Sequence, residues 1–147
     1  MVACSICGLT HNVGFISTRF AGTDGVSLET TKWADVFQKE GFSCFYFAGE
    51  LDRPPDCSYL VEEANFTHPD IKYIYNHCFG VHKRKRSITQ KIHAAKERLK
   101  DEIYRFIEKF SIPSFSGLLI PFEILLLNII KCKGMKGGNC NILMCAN

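Results

Sequence analysis

Residues 13–41 confine the chain to an α/β fold, because they read in order as a buried strand, a tight turn and an amphipathic helix. Val13 to Phe20 carries Val13, Phe15, Ile16 and Phe20, a mostly apolar run that suits a strand covered on both faces. Gly22-Thr23-Asp24-Gly25 supplies the turn, since glycine tolerates positive φ and lets other groups approach the backbone. Val26, Thr30, Trp33, Ala34 and Phe37 then share one helical face, with Glu29, Lys32, Asp35 and Lys39 turned outward. Gly41 follows the last periodic residue and predicts the helix stop. Phe42 to Phe47 (FSCFYF) is a second strand running up to Ala48-Gly49, so the opening makes a βαβ unit.

In open α/β sheets, ligands bind where a strand end feeds a helix start. Glu50 to Asp56 is a loop, because Pro54-Pro55 fits neither a sheet nor a helix interior. It leaves the second strand on the same edge as the turn at 22–25, so Arg19, Thr23, Asp24, Glu50, Asp52 and Arg53 are candidates to line one cleft, the alternative for each being a solvated loop with no ligand. The helix opening near Ser27 presents unpaired N–H groups and a positive dipole end, which suits a phosphate. Gly25 would permit the close approach and Ser27 offers a hydroxyl, whereas Asp24 and Glu29 repel a bare phosphate. Neither the dinucleotide G-x-G-x-x-G nor the P-loop G-K-[ST] is present, so those two nucleotide-binding classes fall back.

Further along, Thr67-His68-Pro69 marks a helix start, and Ile71, Ile74, Tyr75 and Cys78 form its apolar stripe up to Gly80, with His77 outside it. Ser87 to Phe110 is the longest helix, about 24 residues and roughly 36 Å. Ile88, Ile92, Ala95, Leu99, Ile103, Phe106 and Phe110 form its core stripe. Ser87 and Gln90 match a capping box, and Asp101 and Arg105 are spaced for an ion pair. His82 to Arg86 is the single charge run; it reads as a solvated loop, or as a patch for nucleic acid or anionic lipid. Without interleaved aromatics it is a poor single-strand binder, and no nucleic-acid partner is expected.

Ile112 to Ile130 is apolar, with Glu123 its only charge. It reads as a strand (Leu118 to Phe122) plus a buried segment, or as a marginal membrane span disfavoured by Pro113, Gly117, Pro121 and Glu123. The tail 131–147 has no period and predicts irregular structure; residues 1–12 read as an N-terminal extension. Cys4 and Cys7 have zinc-ligand spacing, which Cys140 and Cys145 would complete only loosely; the alternative is free thiols. The start lacks the basic, apolar and small-residue regions of a secretory signal, which predicts a cytoplasmic chain. A hydrophobic share of 46% against 22% charged residues excludes disorder, and a net charge of +3 does not by itself imply a polyanion partner.

The stretch VGFISTRFAGTDGVSLETTKWADVFQKEGFSCFYFAGELDRPP resembles the start of the N-terminal domain of a family 4 glycosyltransferase, the retaining, two-domain GT-B type. The resemblance continues through LVEEANFTHPDIKYIYNHCFG and SITQKIHAAKERLKDEIYRFIEKF, so it covers about residues 13–110. It implies a Rossmann-like parallel sheet flanked by helices, incomplete after about residue 110. That domain would hold mainly the acceptor. The turn Asp24-Gly25-Val26-Ser27 would touch the diphosphate of a nucleotide-sugar donor, with Gly25 nearest the phosphates. The family commonly has two glycines there, and Asp24 replaces the first. The resemblance implies transfer of a sugar from a nucleotide-sugar, as donor substrate and with no separate cofactor, to an acceptor. It assigns no catalytic residue in this chain. The donor-binding C-terminal domain is not in the sequence, so the expectation is a truncated chain, inactive alone. Further alternatives are a small binding module built on residues 82–86, and a membrane-anchored protein held by residues 112–130.

Overall fold

The computed structural model describes residues 12–78, 84–112 and 143–145, the last three as backbone. The chain runs β1 (Asn12–Ile16), α1 (Gly25–Lys39), β2 (Ser43–Ala48), β3 (Ser58–Leu60), α2 (Pro69–Cys78), α3 (Arg86–Lys109) and β4 (Leu143–Cys145), with short 3₁₀ turns at Pro55–Cys57 and Glu62–Ala64. The sheet order is β3-β2-β1-β4. β1 pairs parallel with β2 from Asn12↔Ser43 to Ile16↔Phe47, and β2 pairs parallel with β3 from Tyr46↔Ser58 to Ala48↔Leu60. β4 is antiparallel to β1, so three residues of the tail expected to be irregular are paired.

Alternation along the strands gives the sheet two apolar faces. Val13, Phe15, Cys44, Tyr46 and Ala48 face α1, where they pack with Phe20 and Ala34. Ile16 and Phe47 face the other way, against Leu99, Ile103 and Phe106 of α3 and, beyond them, Ile71 and Ile74 of α2. The result is a small, open, mixed α/β fold with helices on both faces, compatible with a Rossmann-like fragment.

Several expectations shift in detail. Trp33 is exposed, because the buried centre of α1 is Ser27, Thr30 and Ala34. These small side chains let the helix lie close to the sheet, and the larger Val26 and Phe37 sit half-buried at its flank. The first strand stops at Ile16, and beyond it pairing continues irregularly to an isolated bridge between Phe20 and Leu51. α1 ends as expected: Gly41 has φ +87, its N–H donates to Gln38 O, and the Phe42 N–H donates to Phe37 O beneath a Phe37–Phe42 ring contact.

The capping box at Ser87 does not form. α3 begins one residue earlier with Lys85 as N-cap, leaving Ser87 inside the first turn. Arg105 pairs with Glu102, one helical turn away, rather than with Asp101. Among the described residues no helix is long and apolar enough to cross a membrane. The expectations for residues 113–130, for Gly80, His82 and Lys83, and for the zinc ligands Cys4, Cys7 and Cys140 lie outside the described residues, as does the side chain of Cys145. Among the described residues no cluster could hold a metal ion.

Candidate functional site at the carboxyl edge

β1 and β2 end side by side, and the segments leaving them stay paired. Ser17 N–H donates to Phe47 O, Gly49 N–H to Thr18 O, Phe20 N–H to Glu50 O at 2.8 Å and Asp52 N–H to Phe20 O at 3.1 Å. This irregular ladder brings the bend 21–25 and the loop 50–53 together at the carboxyl edge, as the sequence predicts. The bend itself turns at Gly22, with φ +75, and the Asp52 carboxylate accepts its N–H at 2.7 Å. Arg19 Nε lies 3.3 Å from Glu50 Oε2 in a half-exposed ion pair not aligned as a hydrogen bond. Thr23 and Gly25 are exposed beside them.

Arg53 has a different role from the one expected of a cleft-lining cation. Its guanidinium donates to Thr31 Oγ1 at 2.7 Å and to Ser27 O at 3.2 Å, and it lies over the Tyr46 ring at 5.3 Å. Arg53 therefore fastens the loop after β2 to the first turns of α1. Burial, with Cys44 adding to it, pushes the Tyr46 phenol up to about 12, and burial pushes the Cys44 thiol up to about 11. Both stay neutral near pH 7 and serve as packing.

The helix start also departs from expectation. α1 begins at Gly25, and Asp24 is its N-cap, with Oδ1 accepting from the Val26 and Ser27 amides at 3.1 Å each. The Ser27 hydroxyl, on a residue only 1% exposed, donates to the second carboxylate oxygen at 2.7 Å. The amides expected to seat a phosphate already hold an anionic group from the chain itself. A phosphate would have to displace the Asp24 carboxylate to reach them. Asp directly before an apolar-periodic run is an N-cap signal, and weighing it would have placed the helix start correctly.

Partial burial raises the Asp24 pKa, but the Ser27 hydroxyl, the Ser27 amide, the Arg19 charge and the Val26 amide outweigh it and hold the carboxyl below its ordinary 3.8. Asp24→Ala is expected to cost about 1 kcal/mol of stability, read by urea unfolding at neutral pH. A depressed folded-state pKa contributes stability that is present above the unfolded value and lost as pH falls through the folded one. The stability gap between the parent chain and Asp24→Asn, which caps without titrating, should therefore shift against the parent only below pH 3.8. A gap that moves instead near neutral pH would remove Asp24 as its source.

What remains open at this edge is a rim of Arg19, Glu50, Thr23, Gly25 and the outer side of Asp52. Such a rim suits hydrogen bonding to a hydroxyl-rich ligand. A groove of about 510 Å³ lies elsewhere, lined by Leu60, Val61, Glu63, Arg98 and Glu102, and shares no residue with the bend. No family model, curated protein or solved structure matches the chain.

Proposed function

We propose that this chain carries the acceptor-holding half of a retaining GT-B glycosyltransferase of family 4, and that its carboxyl edge faces a nucleotide-sugar donor. The observation that carries the reading is the β1–bend–α1 passage. It lies at the carboxyl edge of a parallel sheet and is tied by backbone pairing to the loop after β2. Catalysis of this kind rests on positioning the acceptor and stabilising the departing diphosphate. Here Arg19, Thr23, Glu50 and Asp52 would position acceptor hydroxyls. The exposed Gly25 at the start of α1 would let the diphosphate approach.

In this reading Asp24 acts as a stand-in for the phosphate, and a donor binds well only when that carboxylate swings away. Asp24→Gly removes the competing carboxylate and still caps the helix tolerably. Calorimetric titration with inorganic pyrophosphate should then show affinity raised roughly tenfold or more, the worth of one or two charge-assisted hydrogen bonds. Unchanged affinity would remove the bend from the donor site. In this reading residues 13–110 alone should show no sugar-nucleotide hydrolysis or transfer, because the resemblance gives them the acceptor-holding role and not the nucleotide clamps. Clear turnover would overturn that assignment.

A further inference from the structure

Positive charge is gathered in one part of the fold. Residues 71–96 contain seven of the chain's 18 Lys and Arg and none of its 15 Asp and Glu, so the rest of the chain is net negative. The segment comprises most of α2 and the first half of α3. Lys72, Arg84, Lys85, Arg86 and Lys91 are all exposed there. Among the described residues Arg84, Lys85 and Arg86 form no ion pair.

The direction of α3 decides where this charge sits. Its C-terminal end lies at the start of β1, where Asn12 Nδ2 donates to Phe110 O at 2.7 Å. Phe110 stacks on Phe45, and Phe106 meets Phe47 two residues further along β2. α3 therefore runs antiparallel to the strands. Arg86 lies about 30 Å along the axis from Phe106, at 1.5 Å per residue. β2 ends one residue beyond Phe47, so the basic end of α3 projects well past the carboxyl edge, held there by α2.

We propose that this basic projection is a peripheral docking surface for a membrane carrying anionic lipid. A helix end with three exposed cations that form no ion pair among the described residues matches the smeared negative charge of such a surface, and each Lys or Arg near it adds substantially to binding. A single-stranded nucleic acid wants aromatic faces to stack on. Among the described residues Tyr73 is the exposed aromatic of the patch, but Lys91 Nζ lies over its ring at 4.5 Å and the His77 ring packs against it at 4.1 Å. Docked this way, the carboxyl edge with its bend faces the bilayer. The inference rests on charge and helix direction, and stands or falls separately from the transferase reading.

The test is sedimentation of the full chain with vesicles of phosphatidylcholine alone and of an equimolar mixture with phosphatidylserine, at low and high salt. Binding is expected only to the mixed vesicles, and to fall with salt. Arg84→Gln/Lys85→Gln/Arg86→Gln should lose more than roughly tenfold in partitioning, and Lys91→Gln about fivefold. Lys32→Gln/Lys39→Gln, on α1, should retain binding, and circular dichroism checks that each variant is folded. Equal binding to neutral vesicles would overturn the proposal, as would retention by the folded triple variant. So would a duplex or single-stranded oligonucleotide bound more tightly than the mixed vesicles through the same three residues.

Discussion

Gly49→Ala is expected to destabilise the protein by about 3 kcal/mol, the upper range for forcing an atom into a packed site. A Cβ built on Gly49 would lie 2.1 Å from the Asn65 backbone nitrogen and 2.5 Å from its Cα. These are backbone atoms, so no side-chain rotation relieves the contact. Both sides are also held in place. Gly49 N–H donates to Thr18 O, Val61 N–H to Ala48 O, and Asn65 N–H to Glu62 O, each within 3.0 Å. Relief would have to move the turn at 62–64 or the segment leaving β2. That segment carries Glu50 and Asp52, so displacement also releases the Asp52 carboxylate from Gly22 and opens the bend. Urea unfolding reads the loss, with Gly25→Ala as control, since nothing lies within 4 Å of a Cβ there. A Gly49→Ala variant within about 1 kcal/mol of the parent would show that the two backbones are not in close approach.

That contact joins residues far apart in sequence, which is why no local pattern announced it. Local patterns located what depends on local physics. The apolar runs and the 3.6-residue period marked β1, α1, β2, α2 and α3 to within a few residues. The turn residues also placed the loop 50–53 on the same edge as the bend. β3 escaped because its three residues are too few for alternation to stand out, with Tyr59 directed at α3 and Leu60 56% exposed. The roles of the charged residues escaped for another reason. Asp24, Asp52 and Arg53 look like ligand groups in one dimension, but each meets a backbone or hydroxyl partner that only the folded bend supplies. Trp33 was misplaced because hydrophobicity ranks it above Ser27 and Thr30, whereas close helix–sheet packing favours small side chains.

Phe106→Ala should cost about 3–5 kcal/mol, a large part of the roughly 5–15 kcal/mol that holds a domain folded. Phe106 is fully buried, and its ring meets those of Phe47, Tyr59 and Phe110 at centroid distances of 5.7, 5.9 and 5.5 Å. It also fills the space that Gly14 leaves in β1, since a Cβ there would lie 2.9 Å from Phe106 Cε1. Removing the ring leaves a cavity between α3 and the sheet that the paired strands cannot close. Tyr104→Ala, two residues away and 54% exposed, should change stability by no more than about 0.5 kcal/mol. The sharper measurement is a double-mutant cycle. Gly14→Ala alone pushes a methyl against both Ile112 Cδ1 at 2.7 Å and the Phe106 ring at 2.9 Å, so with Phe106→Ala only the second contact is relieved and the combined loss should fall short of the sum of the two. Strict additivity would mean that α3 does not rest on β1 at this point.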